Sequence, residues 1–175
     1  MRIIAGSRKG ARIFAPKGLD TRPTGDRVRE AAFNLTGPVD EAAVLDLFAG
    51  SGAMGLEALS RGAASAVFVE SDREACRAIE RNLAKLGLTG ATVLCRDASQ
   101  VLTAESRTYD LVLCDPPYGF QGSARLAGYL KRLLAPNGLL VYETGAKEQP
   151  ELEGLQVRTS RTYGSARLTL FGHEP

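Results

Sequence analysis

The stretch Val44 to Gly62, VLDLFAGSGAMGLEALSRG, limits what this chain can fold into more than any other part of it. It opens with Val44, Leu45, Leu47 and Phe48, an apolar run broken only by Asp46. It then turns through Gly50, Gly52 and Gly55 into a helical pattern at Leu56 to Leu59. Strand, glycine-rich turn and helix make a nucleotide-binding βα unit. The glycines permit the tight turn and a close ligand, and the helix N-terminus presents unpaired N–H groups. The spacing alone does not choose a ligand, since it fits NAD and FAD enzymes and also plain βα turns.

What surrounds this unit repeats its alternation. Ala66 to Glu70 reads as a second strand, and Asp72 caps a helix with Ala75, Ile79, Leu83 and Leu86 at helical spacing. Ala91 to Cys95 reads as a third strand, followed by Arg96, Asp97 and Ala98. Asp110 to Cys114 is a fourth, nearly continuous apolar run, as in a strand covered on both faces. Leu126 to Leu134 suits a helix, Pro136-Asn137-Gly138 breaks it, and Leu139 to Tyr142 makes a fifth strand. Gln156 to Tyr163 and Ala166 to Phe171 close the chain as an antiparallel hairpin turning at Gly164-Ser165. The class is α/β, a doubly wound Rossmann-like sheet with that hairpin at its C-terminal end.

Ahead of it, Arg2 to Ala5 and Ala11 to Phe14 pattern as a small β-hairpin, and Asp26 to Leu35 as a helix capped by Thr24 or Asp26. Gly37-Pro38 ends that helix, giving an N-terminal extension over 1–40 and a catalytic domain over 41–175. Charge divides along nearly the same line. Residues 1–30 hold eight basic and three acidic side chains, net +5, whereas the rest holds 14 basic and 17 acidic. Such an arm follows a phosphate backbone, or else is a solvated face. No stretch resembles a transmembrane run or a signal peptide, so the expected location is cytoplasmic. Cys76, Cys95 and Cys114 are isolated, with no CxxC pair, so neither zinc nor a disulfide framework is expected. His173 reads as a solvated tail residue.

The acids then acquire places. Glu70 ends the second strand, where a carboxylate accepts both hydroxyls of an adenosine ribose. Asp97 ends the third, in reach of an adenine amino group, with the Ala98 backbone beside it. Asp46 lies within an apolar strand, where an unpaired carboxylate is costly, so it is expected to face backbone donors or a cationic ligand. The more specific signal is Asp115-Pro116-Pro117-Tyr118. Two prolines cannot donate to a β-ladder, so the chain leaves the sheet there and aims the Asp115 carboxylate and Pro116 carbonyl into the crevice above the strand ends. A fourth strand lying beside the first, about 4.8 Å away, sets this turn next to the glycine loop. Two acceptors and an aromatic face suit a planar ring bearing an amino group.

Together these motifs resemble the S-adenosylmethionine-dependent amino-methyltransferases, and more closely the RsmD family of guanine-N2 methyltransferases of small-subunit (16S) ribosomal RNA. The resemblance rests on Met1 to Gly6, Arg22-Pro23-Thr24 with Asp26 to Glu30, Phe48 to Ala53 with Gly55 to Arg61, and Asp115 to Tyr118. It implies S-adenosyl-L-methionine as cofactor and ribosomal RNA within an assembling small subunit as partner, with no membrane and a monomeric state. It places Asp115, Pro116 and Tyr118 on the reacting amine. Asp46, Phe48, Gly50, Gly52, Glu70, Ser71, Asp97 and Ala98 fall on the cofactor. Arg22, Thr24 and Arg27 form the rim, Arg22 on its RNA side and the other two on its cofactor side. Arg2, Arg8, Lys9, Arg12 and Lys17 fall on RNA phosphates. The segment after Gly145 carries nothing that matches.

Three other readings share some of these features. A DNA or RNA adenine-N6 methyltransferase uses the same acceptor turn, but this chain offers only its first forty residues for target recognition. An NAD-dependent oxidoreductase accounts for the glycine loop and Glu70 and leaves Asp115 to Tyr118 unexplained. A non-catalytic RNA-binding protein has no need of both motifs intact.

Overall fold

The computed structural model describes residues 1–16, 25–117, 120 and 123–175. The strands are β1 (Ala43–Leu47), β2 (Ser65–Glu70), β3 (Ala91–Cys95), β4 (Tyr109–Cys114), β5 (Leu134–Gly145), β6 (Leu155–Tyr163) and β7 (Ala166–His173). They form one sheet in the order β3-β2-β1-β4-β5-β7-β6. The first five run parallel, and β7 inserts antiparallel between β5 and β6. The helices are α1 (Asp26–Thr36), α2 (Ala53–Ser60), α3 (Arg73–Leu86), α4 (Ala98–Ala104) and α5 (Ser123–Leu133).

Alternation within each strand builds two cores, one per face. On β1, Val44 joins Phe68 and Leu111 under α2 and α3, while Leu45 and Leu47 join Val67 and Val112 under α4 and α5. α3 begins where Asp72 accepts the Ala75 N–H at 2.8 Å and ends at Gly87, whose φ of 60° no β-branched residue would tolerate. Residues 1–40, as far as they are described, share the first core: Ile3, Ile13, Ala32 and Phe33 are buried in it. Among the described residues no helix is long and apolar enough to cross a membrane.

Four expectations need correction. The N-terminal hairpin forms no regular strands: Arg2 bridges Arg12, Ile3 exchanges backbone bonds with Ala11 and Gly10, and Ile13 donates to the Met1 carbonyl, around a 3-10 turn at Gly6–Arg8, while other groups of the segment bond to α2 and α3. α1 is preceded by Gly25 with no side-chain cap, and Asp26 lies inside it, paired to Arg29; Thr24 lies outside the described residues. Residues 98–104, to which the sequence reading assigns no element, form a helix with Ala98, Val101 and Leu102 buried on one side. Pro136 to Gly138 do not separate helix from strand. β5 already pairs at Leu134 with Tyr109, and the register shifts before Leu139 meets Leu111. His173 is not a free tail residue: it closes β7, its Nε2 2.8 Å from the Leu134 carbonyl.

Candidate active site

The glycine turn is held by acids. Gly50 and Gly52 have φ of 54° and 75°, and Phe48 takes 58°, a left-handed conformation that a bulky residue holds only under constraint. Glu70 supplies part of that constraint: Oε2 accepts the Gly50 N–H and Oε1 the Asp72 N–H, both at 2.8 Å. Gly52 donates to the Ala49 carbonyl at 2.8 Å, and Gly55 to Asp46 Oδ2 at 2.9 Å. A Cβ on Gly55 would lie 2.3 Å from the Phe68 ring and 3.0 Å from that Asp46 oxygen, so the third glycine is needed for helix-to-strand contact.

This arrangement has an electrostatic consequence. Burial pushes the Asp46 carboxyl up to about 8, with the charges of Asp115 and Glu70 adding and the Gly55 bond opposing. The Asp46 carboxyl is thus held in its protonated form by burial and by the charges of Asp115 and Glu70. In a dinucleotide site the loop's N–H groups meet an anionic pyrophosphate. Here the N–H groups of Gly50, Gly52 and Gly55 already have acceptors, two of them carboxylates. The crevice suits a cation.

The acceptor turn stands where the strand order brings it. Leu47 pairs with Cys114, so Phe48 and Asp115 leave adjacent strands side by side. Asp115 is exposed and Pro116 half-buried, and the Pro117 carbonyl accepts the Phe120 N–H at 3.1 Å. Tyr118 lies outside the described residues. The Phe120 and Phe48 rings meet edge to face with centroids 5.5 Å apart. Between Phe48, Ala98, Leu102, Phe120 and Tyr129 lies an apolar recess of about 200 Å³, edged by Asp97 and Ser99. Asp97 caps α4, accepting the Ser99 N–H at 2.8 Å and pairing with the Ser99 hydroxyl, which holds its carboxyl below the usual range. Arg125 and Leu126 complete the lining of the recess, and the mostly apolar walls with the polar Asp97 edge suit a planar heterocycle. Sequence reading missed Phe120 and Tyr129; an aromatic two residues beyond Tyr118 was the available signal for the first.

The basic residues are distributed unevenly. Arg2, Lys9 and Arg27 are exposed and Arg12 is exposed beside a polar recess, whereas Arg8 spends its Nε on the Leu86 carbonyl at the end of α3. Lys17 and Arg22 lie outside the described residues. Ser71 is exposed, one residue past Glu70. A buried carboxylate that sequence reading did not single out fastens the N-terminal segment. Glu57 of α2 accepts the Ile4 and Ala5 N–H groups at 2.8 and 2.9 Å and Arg61 Nε at 2.8 Å. Ser51 of the glycine turn donates to Met1 Sδ at 3.7 Å, so the chain start abuts the cofactor loop.

A parallel sheet with one reversed strand near its edge, a glycine turn ringed by acids and a proline-rich acceptor turn define a Rossmann-like methyltransferase. Solved structures share the fold across the whole chain. The yhhF chain of Escherichia coli superposes with a TM-score of 0.90 at 32% identity, over 100% of this chain and 98% of that one. A hypothetical protein of Thermus thermophilus gives 0.82 at 34%, over 97% and 98%. The family described as conserved hypothetical protein 95 matches residues 1–172. Ribosomal RNA small subunit methyltransferase D of Escherichia coli K12 is 40% identical over 87% of this chain and 76% of its own length. Its Haemophilus influenzae counterpart is 35% identical over 86% and 81%. The chain belongs to this family, the RsmD family.

Proposed function

We propose that this protein transfers a methyl group from S-adenosyl-L-methionine to the exocyclic N2 amine of a guanine in small-subunit ribosomal RNA. The observation that carries the cofactor is that Glu70 and Asp46 already take the Gly50 and Gly55 N–H groups, an arrangement that favours a cationic ligand over a pyrophosphate. Phe48, Gly50, Gly52, Glu70 and Ser71 hold its ribose and amino-acid end, and Asp97 and Ala98 hold the adenine in the Phe48–Phe120 recess. Thr24 and Arg27 close its rim. Bound there, the cofactor supplies an electrophilic methyl group.

The protein's part is positioning. A guanine amine is conjugated with its ring and a poor nucleophile. Hydrogen bonds from it to Asp115 and the Pro116 carbonyl favour a pyramidal nitrogen with its lone pair directed at the methyl. Tyr118 stacks on the base and fixes its plane, an interaction worth roughly 1–3 kcal/mol. Asp115 also stabilises the positive charge developing on nitrogen. Arg2, Lys9, Arg12, Lys17 and Arg22 meet RNA phosphates, and the target is a loop nucleotide that can be unstacked at low cost. The partner is RNA in an assembling small subunit, and the enzyme acts as a monomer.

The test is direct. Small subunits from cells lacking the protein are incubated with the enzyme and labelled cofactor, and the RNA is digested and analysed by mass. N2-methylguanosine at one position is expected. N6-methyladenosine would transfer the assignment to the adenine-specific class, and absence of label would defeat the reading.

A further inference from the structure

We infer that the RNA track leaves the N-terminal segment and continues along the outer stripe of α3, with Phe14 as a base-stacking platform and Arg81 and Lys85 as phosphate contacts. The inference rests on the RNA-directed reading above and adds a second element to it.

Phe14 is 42% exposed, a large apolar ring left open to solvent. Its backbone is nevertheless fixed. The fully buried Asn82 accepts the Phe14 N–H at 2.7 Å and donates to the Phe14 carbonyl at 2.9 Å. Ordering an apolar ring at the surface on a clamped backbone does little for the core, and it prepares a stacking face. Arg81 Cζ lies 4.4 Å and Lys85 Nζ 4.7 Å from the ring centroid. Arg77, Arg81 and Lys85 recur at four-residue spacing and are all exposed, so they form one stripe. Arg77 is paired with Glu74 at 2.6 Å. Among the described residues, no carboxylate lies within ion-pairing distance of Arg81 or Lys85. Glu80 is the remaining acid of the helix, which leaves four basic against two acidic side chains on α3.

The stripe is continuous with the start of the chain. Lys85 Nζ donates to the Arg12 carbonyl at 2.6 Å. Arg12 in turn lines a polar recess of about 310 Å³ with Met1, Arg2 and Gly10. Met1 touches Ser51 of the glycine turn. The track therefore runs from Met1, beside the cofactor loop, through Arg2 and Arg12 to Lys85, Phe14 and Arg81. Cations interleaved with one aromatic ring fit a single strand, with phosphates on the cations and a base on the ring. A protein partner would need a broader apolar area than one ring among charges.

Two variants test this, Phe14→Leu and Arg81→Gln with Lys85→Gln, each checked for an unchanged melting temperature. Binding of small-subunit ribosomal RNA is read by filter retention across a salt series, and S-adenosylhomocysteine binding by calorimetry. Phe14→Leu is expected to weaken RNA about tenfold with its salt slope kept, since stacking carries no counterion. The double variant should weaken RNA and flatten the log-slope by about 0.7 per lost phosphate contact. Both should bind S-adenosylhomocysteine as the wild type does. Unchanged RNA affinity in both variants overturns the inference and leaves the methyltransferase reading standing. A wild-type protein that binds RNA through this stripe yet methylates none would defeat that reading and keep the surface.

Discussion

The Arg29 guanidinium and the Glu57 carboxylate meet with neither exposed to water, Nε 3.6 Å from Oε2. The pair joins α1 to the helix that follows the glycine turn, and it is incompletely satisfied. Arg29 Nη2 donates to the Arg2 carbonyl and to Asp26, but among the described residues Nε and Nη1 have no hydrogen-bond partner. Glu57→Gln keeps the shape and leaves the guanidinium without its buried counter-charge. Breaking a buried pair from one side costs about 3–5 kcal/mol, whereas replacing both partners by apolar groups is often neutral. Urea unfolding should therefore show a large loss for Glu57→Gln and partial recovery when Arg29→Met is added. Equal midpoints for wild type and single variant would show that the pair contributes nothing net.

Asp46 makes stability depend on pH with an unusual sign. Its folded value of about 8 lies above the ordinary 3.8, so the native carboxyl keeps a proton that the unfolded chain has lost. Unfolding then releases a proton throughout that window, and native stability falls as pH rises from about 4 to about 8, on the order of 1 kcal/mol per unit from this group. Asp46→Asn can still accept the Gly55 N–H and should remove this slope. Denaturant midpoints at about pH 5 and about pH 8 decide it, the variant gaining on the wild type at the higher pH.

The same carboxyl predicts a difference between two ligands. A sulfonium beside Asp46 favours its ionised form, so binding S-adenosylmethionine near neutral pH should release more protons than binding S-adenosylhomocysteine, whose sulfur is uncharged. Calorimetry in buffers of different ionisation enthalpy measures both. Equal release for the two ligands would place the sulfonium away from Asp46.

Glu70 holds the loop, and the proposed function gives it the ribose as well. Because it takes the Gly50 and Asp72 N–H groups, Glu70→Ala should both remove a charged acceptor from the ribose and loosen the turn. A loss of about 1.5–3 kcal/mol in S-adenosylhomocysteine affinity is expected. Glu70→Gln, which retains one acceptor, should lose less. Tight NAD binding with none to S-adenosylhomocysteine would sink the cofactor assignment.

What could be read from the sequence was whatever repeats locally. The apolar runs of β1, β2 and β4, the glycine turn and the proline pair each carry their signal within a few residues, and they placed Asp46, Glu70 and Asp115 at one end of the sheet. Asp97 was visible as a strand-end acid, but α4 was not, because a helix of two turns has too few apolar positions to show a period. Glu57 and Arg29 were invisible for another reason. Each looks like a surface charge in its own helix, and only the packing of Ile4 and Ala5 against α2, over fifty residues away in sequence, buries them. The basic N-terminal arm was legible as charge but not as geometry: Arg8 caps α3, and Phe14 reaches α3 as well.

The acceptor turn carries the last prediction. Asp115 follows the strand residue paired with Leu47 and is exposed at the crevice, so removing its side chain should leave the fold and the cofactor recess in place. Asp115→Ala is expected to lower methyl transfer by roughly a hundredfold or more, the scale of losing one group that stabilises developing charge. S-adenosylhomocysteine affinity should be largely kept, or rise where Asp115 repels Asp46. Tyr118→Phe retains the stacking face and should keep most activity, while Tyr118→Ala should keep little. Single-turnover rates on small-subunit ribosomal RNA separate these outcomes from binding. Equal losses for the two Tyr118 variants would assign the work to the phenolic hydroxyl, and a fully active Asp115→Ala would remove the carboxylate from the reacting amine.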